Sequence, residues 1–255
     1  MSSLSVIVIT KNEERNIEDC LDSVRWANEI VVVDGGSEDR TLEIARRFTN
    51  KVFVKPWEGY GASKNFALEQ CTGTWVLWLD ADERVTNELG NEIQTIASQQ
   101  TTPSSVYEMP RKAYFLGRWI RHCGWYPGYV PRLFKRGVGR FSENKVHERF
   151  EFDGVVGRLR SDLLHYTDPN LWHYLEKSNR YTTLAADEMR EQGTIFRVSQ
   201  LIVRPIWVFV RMYVVKLGLL DGFQGFILCV LSSCYVFTKY AKLWELSDGA
   251  ERSKH

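Results

Sequence analysis

Apolar runs and polar stretches alternate regularly along the first hundred residues. Short runs rich in β-branched or aromatic residues predict buried strands at 4–10, 29–34, 51–55 and 74–79. Segments with helical spacing of apolar residues follow them, at 16–26, 38–48, 60–71 and 86–98. Because each strand is followed by a helix, this part predicts β-α-β units and a mostly parallel sheet.

The pattern changes after about residue 100. Residues 105–165 are aromatic and punctuated by glycine, which predicts short strands. Residues 170–192 have helical spacing, and the chain is strongly apolar from 195 to about 243. We therefore expect one α/β domain over 1–192, followed by a helical extension over 193–255.

Charge is distributed unevenly between these parts. The chain has 33 basic and 32 acidic residues, but residues 1–100 sum to −7 and residues 101–255 to +8. The balanced total argues against a protein that coats nucleic acid, while the asymmetry indicates different partners for the two parts. Five cysteines without a C-x-x-C pair favour a reducing compartment.

Polar residues cluster where the predicted strands end. Residues 10–13 follow the first strand, Asp34 follows the second, and residues 80–83 follow the last of the four. Ligands of parallel sheets bind beyond the carboxyl ends of the strands, so we expect a binding site there.

The acids in these clusters allow more than one interpretation. Asp80 and Asp82 suit a hard divalent cation together with substrate phosphates, or Asp80 caps the helix near Thr86 and the other acids are solvated. Asp34 suits hydrogen bonds from a base or ribose; the alternative for this stretch is a tight turn followed by a helix N-cap at Ser37 or Asp39.

Four motifs carry a resemblance to a known family. They are T-K-N-E-E, V-V-V-D-G-G-S-E-D-R-T, G-A-S-K-N-F-A and L-D-A-D-E, at 10–14, 31–41, 61–67 and 79–83. In this order they resemble glycosyltransferase family 2, the inverting sugar-nucleotide transferases. The resemblance implies a GT-A fold, which is a Rossmann-like mixed sheet flanked by helices. Residues 1–100 would be the nucleotide-sugar and metal half, 101–165 the acceptor half, and 166–192 a helix.

A narrower resemblance extends over nearly the whole chain. V-H-E at 146–148, L-L-H at 163–165 and a tail containing K-L-G and D-G resemble the lipopolysaccharide-core β-1,4-glucosyltransferase subfamily. These motifs are less diagnostic of a particular acceptor.

The family resemblance implies donor-site roles for matching positions. Thr10, Asn12 and Glu13 would line the nucleotide pocket, and Asp34 would bind uracil or ribose. Lys64 would lie near the nucleotide, unless it is a solvated helix lysine.

The last motif would complete the donor site. Asp80 would contact ribose or sugar, and Asp82 would hold Mn²⁺ or Mg²⁺ against the diphosphate. His165 would complete the metal shell, unless it is a packed histidine bonded to a backbone carbonyl.

Glu148 is the favoured general base, because it lies late in the region where the family's base usually lies. It is otherwise a charge partner for Arg149 or Arg140, and Glu143 and Asp153 are the next candidates for the base.

Residues 111–149 supply the positive charge, with ten bases against two acids and interleaved aromatics. Arginine pairs with anionic groups and aromatics stack on sugars, so an anionic glycan acceptor suits this stretch. The candidate acceptor contacts are Arg111, Trp119, Arg121, Trp125 and Arg132. The alternative is an ordinary cationic surface with core aromatics, and no nucleic-acid module accompanies the bases.

The tail combines a basic stripe with an apolar face. Arg197, Arg204 and Arg211 recur every seven residues, and the apolar residues of 206–214 lie largely away from them. This pattern suits a helix in a membrane interface. The alternatives are an oligomer interface or a helical pair packed on the catalytic domain.

Together these features predict a metal-dependent inverting transferase that moves a hexose, with glucose from UDP-glucose favoured, to a heptose of the lipopolysaccharide inner core. It would act peripherally at the cytoplasmic face of the bacterial inner membrane on a lipid-anchored acceptor, and an oligomer is left open. One alternative is a polyprenyl-phosphate or peptide glycosyltransferase with the same donor site. The other is a membrane-tethered, non-catalytic sugar-nucleotide-binding protein.

Overall fold

The structure, a computed structural model, describes residues 3–142 and 149–252, without the side chains of 248–252. The chain divides into two compact units. Unit 1 comprises Met1–Lys112 and Gly128–His165, and unit 2 comprises Ala113–Pro127 and Tyr166–His255.

The strands lie mainly in the first two thirds of the chain. They are β1 (Leu4–Thr10), β2 (Glu29–Asp34), β3 (Val52–Val54), β4 (Trp75–Asp80), β5 (Glu83–Val85), β6 (Val106–Phe115), β7 (Arg118–Trp119), β8 (Gly128–Lys135), β9 (Gly139–Phe141), β10 (Phe150–Phe152), β11 (Val156–Arg158) and β12 (Leu163–Asp168).

The α-helices alternate with the first strands and then follow the last one. They are α1 (Ile17–Asp22), α2 (Thr41–Ala45), α3 (Tyr60–Glu69), α4 (Asn87–Ser98), α5 (Leu171–Glu191), α6 (Val198–Val210) and α7 (Gly222–Arg252). A π-helical turn (Arg211–Val215) and a 3₁₀ turn (Gly218–Asp221) connect the last two.

The main sheet has the strand order β3-β2-β1-β4-β8-β6-β12-β5. Pairing is parallel from β3 to β4, whereas β8 runs antiparallel to both β4 and β6. The expected β-α-β sheet is therefore present at one side, and the later short strands extend it into a mixed sheet.

Burial of both faces explains why the first strands read as continuous apolar runs. On β1, Val6 and Val8 pack with residues of α1 and α4, while Ile7 and Ile9 pack in a second cluster with Ala67 of α3. Helices thus cover the two faces of the parallel strands.

Two details differ from the sequence expectation. The first helix ends at Asp22 rather than near residue 26, because the chain continues in i→i−3 turns such as Val24 N–H to Leu21 C=O. Strand β5 was not expected; its partner is β12, about 80 residues away, so no local pattern marks it.

Unit 2 is built around the three long helices. α7 packs against both α5 and α6, and a small core contains Phe115, Ile120, Cys123 and Cys229. Residues 113–127 and α5 group with the tail in this unit, and the domain bounds of 1–192 and 193–255 stay a prediction.

Two stretches of the tail have the length and apolar composition of a membrane-crossing helix. They are Val198–Val215 and Gly218–Ser247, judged on length and hydropathy alone. The same test is also met by core helices of soluble proteins.

Candidate active site

The register of the parallel strands brings the polar strand ends together. Thr10 at the end of β1 lies opposite Asp34 of β2, and Ile9 lies opposite Asp80 of β4. The convergence expected from strand alternation is therefore present at one edge of the sheet, where ligands of such sheets bind.

Asp34 organises the turn after β2. Its side chain is fully buried. One carboxylate oxygen accepts the N–H groups of Gly36 and Ser37 at 2.9 and 2.8 Å, and the other accepts the Ser37 hydroxyl at 2.5 Å. This is a rigid loop at the site, and the nucleotide contact expected of Asp34 stays a prediction.

The loop after β1 is tied to that turn. The N–H of Asn12 donates to the Ser37 hydroxyl at 2.8 Å, and the Asn12 side-chain oxygen accepts the N–H of Glu38 at 2.9 Å. The N–H of Glu13 donates to Thr41 at 2.8 Å. Thr10 is buried, and its hydroxyl has no partner among the described residues.

Asp82 and His165 face each other although they are 83 residues apart. Nε2 of His165 lies 3.2 Å from Oδ2 of Asp82, because β12 places His165 opposite Glu83 on β5. Neighbouring ligands around a Mg²⁺-sized ion lie roughly 3 Å apart when each is about 2.1 Å from the ion. The pair therefore fits two adjacent positions of a divalent metal shell.

Among the described residues, this pair is not part of a larger group of metal-ligating side chains. Among them, no three His, Cys, Asp or Glu side chains are grouped as a metal site. Mg²⁺ and Mn²⁺ commonly take few protein ligands and complete their shell with water and substrate phosphates. The donor set therefore suits an ion that arrives with a diphosphate.

A buried ion-pair cluster lies beside these residues. The Arg132 guanidinium is 3% exposed and donates to Glu83 at 2.7 Å and to Asp80 at 2.8 Å. Glu83 is fully buried, and its other oxygen accepts the N–H of Asp80 at 3.1 Å. This network holds both the backbone and the carboxylate of Asp80.

Two buried cations contact the same indole ring. The Arg132 guanidinium lies 3.5 Å from the Trp78 ring centroid, and Nζ of Lys64 lies 3.8 Å from it. Lys64 is 1% exposed, so it is not the solvated helix lysine of the alternative interpretation. Cation–π attraction offsets part of the cost of burying both charges.

The cluster sets the charge state of Asp80. Burial opposes ionisation, but the positive charges of Arg132 and Lys64 outweigh it and lower the pKa of this carboxyl below its usual range. Arg111 acts in the same direction. Asp80 is therefore held ionised, ready to accept hydrogen bonds from a hydroxyl.

Two expectations are corrected by this geometry. Arg132 is not placed to contact an acceptor through its guanidinium, because that group is buried and committed to two carboxylates. Asp80 does not cap α4, because the Thr86 hydroxyl does so by accepting the N–H of Leu89 at 3.1 Å.

Replacing Arg132 by methionine is expected to destabilise the protein strongly. The change leaves Glu83 without its counter-charge in a fully buried position, and breaking a buried pair in this way costs about 3–5 kcal/mol. The measurement is urea unfolding of parent and variant.

The matched control is Arg158→Met. Arg158 also pairs with a glutamate, Glu108, but it is exposed, so the loss should stay below about 1 kcal/mol. Equal losses for the two variants would contradict the assigned importance of the buried cluster.

The remaining acceptor candidates fall in both units. Arg111 lies on β6 in unit 1, while Trp119, Arg121 and Trp125 lie in unit 2. Arg121 is exposed, and its guanidinium is 5.8 Å from the Trp119 ring centroid. Their acceptor role stays a prediction.

The favoured base lies outside the described residues. Glu148, with His147 and Glu143, falls in 143–148, for which the structure gives no description. Asp153, the other alternative, is exposed after β10.

Sequence reasoning missed the importance of Glu83 and Trp78. From the sequence, Glu83 is predicted only to be a solvated neighbour of the two aspartates. Trp78 is predicted only to be part of an apolar strand. A signal did exist, since an acid next to a buried strand needs a partner and Arg132 interrupts the apolar pattern of its own strand.

The comparisons with known proteins concern the family and the fold. A family model described as "Glycosyl transferase family 2" matches residues 5–136. The lipopolysaccharide core biosynthesis glycosyltransferase LpsC of Rhizobium meliloti is 32% identical over 95% of this chain and 92% of its own length. An uncharacterized glycosyltransferase of Rickettsia typhi is 31% identical over 97% of this chain and 88% of its own length.

A solved structure shares the fold. Glucosyl-3-phosphoglycerate synthase from Mycobacterium tuberculosis, in complex with phosphoglyceric acid, aligns with a TM-score of 0.50 and 17% identity over 75% of this chain and 80% of that one. The expected mixed sheet flanked by helices, of the GT-A type, is confirmed.

Proposed function

The chain belongs to glycosyltransferase family 2, and from that premise we propose that it transfers a hexose from a nucleotide donor to a heptose of the lipopolysaccharide inner core, with inversion at the anomeric carbon. Glucose from UDP-glucose is the favoured donor. The observation that carries the proposal is the edge of the sheet where Asp80, Asp82 and His165 meet beside the loops after β1 and β2.

The donor would bind at that edge. Asp34 and the loop of Asn12 and Glu13 form one hydrogen-bonded rim, which suits a nucleoside. Asp80, held ionised by Arg132, suits a hydroxyl of ribose or sugar. Lys64 adds a buried positive charge beside Asp80, where a diphosphate needs compensation.

Asp82 and His165 would hold Mn²⁺ or Mg²⁺. The ion supplies Lewis-acid neutralisation of the leaving diphosphate when it is bound. The chain's own part is to hold the two ligand atoms 3.2 Å apart, one in the turn between β4 and β5 and the other on β12.

The reaction requires an in-line attack by the acceptor. The acceptor oxygen forms a bond to the anomeric carbon while the bond from that carbon to the diphosphate oxygen breaks, and the hydroxyl proton passes to a carboxylate. We assign this base role to Glu148 on the family resemblance of V-H-E.

The acceptor proposal has two sources of support. LpsC is named for lipopolysaccharide core biosynthesis, and it matches this chain over almost its whole length. Arg111 and Arg121, with the aromatic rings of Trp119 and Trp125, suit an anionic glycan. A lipid-anchored acceptor at the cytoplasmic face of the inner membrane would place this protein there as a peripheral enzyme, and the apolar tail suits that location.

Product analysis tests the proposal. Enzyme, UDP-glucose, Mn²⁺ and lipopolysaccharide core lacking the glucose are expected to yield UDP and a core heavier by one hexose. A panel of sugar nucleotides serves as the control for donor choice. Transfer only to polyprenyl phosphate would move the assignment to that acceptor class, and no UDP release with any donor and acceptor would overturn the proposed reaction.

A further inference from the structure

A buried carboxylate in the tail holds a segment more than 90 residues earlier in the chain. Asp221 is 3% exposed, at the end of the 3₁₀ turn that precedes α7. One of its oxygens accepts the N–H of His122 at 2.8 Å, and the other accepts the N–H of Arg121 at 3.2 Å and lies 2.9 Å from Nδ1 of His122. A single side chain thus binds two consecutive backbone groups.

Further contacts bring the two backbones close together. The N–H of Cys123 donates to the carbonyl of Lys216 at 3.0 Å. Gly218 lies so near that a Cβ there would meet the Cys123 sulfur at 2.7 Å. Cys123 and Leu217 both have positive φ, which non-glycine residues keep only where their surroundings enforce it. Residues 118–125, named the pinned segment, and residues 216–223, named the hairpin turn, therefore form one rigid piece.

The pinned segment contains most of the acceptor candidates. Trp119, Arg121 and Trp125 all lie in it, and Arg121 is exposed. A guanidinium beside an indole is suited to a charged sugar. The position of these groups therefore depends on the hairpin turn.

The hairpin turn also carries exposed apolar side chains. Leu219, Leu220 and Phe223 are exposed, Phe223 to 72%. Ile206 and Trp207 of α6 are exposed as well. Exposed apolar side chains in this number are typical of an interaction surface.

Charge indicates what this surface meets. Residues 192–220 contain four bases, Arg197, Arg204, Arg211 and Lys216, and no acid. Asp221, which follows directly, is buried and occupied by the pinned segment. Exposed apolar side chains on a chain segment whose exposed charges are all positive suit the interface of an anionic membrane. Because Val198–Val215 contains basic residues, placing it in the membrane interface costs less free energy than placing it across the membrane.

We propose that the hairpin turn binds an anionic lipid surface through Leu219, Leu220 and Phe223. Because Asp221 holds the pinned segment to the hairpin turn, this membrane contact also fixes the position of the acceptor contacts. The inference rests on the proposed function in one respect, which is that the acceptor is anchored in the same lipid surface. The same rigid piece of the structure would then bind the membrane and position the acceptor.

Vesicle binding tests the membrane contact of the hairpin turn. The full-length protein is expected to bind vesicles of phosphatidylglycerol and phosphatidylethanolamine at least tenfold more tightly than vesicles of phosphatidylcholine. L220Q/F223Q is expected to lose at least tenfold of the anionic binding. The control V54Q/V155Q, which removes two exposed apolar side chains of unit 1, should bind as the parent does.

Three results would overturn the proposed membrane contact of the hairpin turn. One is equal binding of L220Q/F223Q and the parent. Another is resistance of the bound parent to alkaline carbonate, which would indicate a membrane crossing. The third is a concentration-dependent dimer in analytical ultracentrifugation that L220Q/F223Q abolishes, which would assign the surface to a second copy of this chain.

Transfer assays separate this inference from the proposed function. L220Q/F223Q is expected to keep the parent rate on a deacylated, water-soluble core acceptor and to lose at least tenfold on the lipid-anchored one. Equal activity of variant and parent on both acceptors would overturn the inference alone. Failure of the parent on both acceptors would instead count against the proposed function.

Asp221→Asn tests the link to the acceptor contacts. The amide keeps the shape but loses the charge that holds the donors of residues 121 and 122, so the KM for the acceptor should rise at least tenfold while the KM for UDP-glucose stays unchanged. Parallel changes in both KM values, together with a lowered Tm, would indicate a structural role only.

Discussion

Replacing Asp82 by alanine is expected to lower the kcat/KM for sugar transfer by about 100-fold or more, the scale seen when a group that stabilises developing charge is removed. Asp82 lies two residues after the end of β4, and its Oδ2 is 3.2 Å from His165 Nε2, so its loss removes one of the two candidate metal ligands. The measurement is UDP release from UDP-glucose with Mn²⁺ and the core acceptor.

The direct test of the Asp82 assignment is metal binding. Electron paramagnetic resonance of Mn²⁺ with UDP present is expected to show a bound ion in the parent and little in Asp82→Ala. Asp22→Ala is the matched control, because Asp22 is an exposed aspartate that pairs only at the surface with Arg25. Full activity and full Mn²⁺ binding in Asp82→Ala would show that the metal is held elsewhere.

Replacing Glu148 by glutamine is expected to lower the transfer rate by about 10²–10⁴-fold, the contribution of a general base. Glutamine keeps the size of the side chain but cannot take the proton of the acceptor hydroxyl. Binding of UDP, measured by calorimetry, should not change, because the donor site lies on other residues. A drop in kcat with unchanged UDP affinity is the expected signature.

Neighbouring acids provide the controls for Glu148. Glu151, three residues later in the chain, is exposed on β10, so Glu151→Gln should transfer at the parent rate. Glu143→Gln and Asp153→Asn test the alternative bases. If either of these loses transfer while Glu148→Gln keeps the parent rate, the base is at that position instead.

The buried charges of the donor site have a consequence for how the site works. Arg132 and Glu83 together hold the carboxylate and the N–H of Asp80 before any ligand arrives. A group preorganised in this way needs little rearrangement during the reaction.

Local sequence was sufficient for the parallel part of the fold. The strands at 4–10 and 29–34 agree with the structure to the residue, because a strand buried on both faces reads as an unbroken apolar run. Helix α4 begins after Thr86 as expected, because the hydroxyl of its N-cap is a local signal. Helices α1 and α2 are shorter than their spacing indicates, since periodicity continues through turns.

The candidate site was predicted only in part, and for a physical reason. The sequence alone located the acids at strand ends, since β-α-β alternation dictates where polar side chains of parallel strands collect. It did not indicate that Arg132 is buried between Glu83 and Asp80, because that contact joins β8 to β4 and β5 across the sheet. Periodicity reports which face a residue is on, not which distant residue it meets there.

What the sequence by itself determined is therefore the family, the parallel strands and the identity of the acids that follow them. The tertiary structure alone decided the pairing of His165 with Asp82 and of Asp221 with His122, which are separated by 83 and 99 residues. Such pairs form because strands and helices distant in the chain pack side by side, and the cost of leaving a buried polar group unpaired then selects its partner.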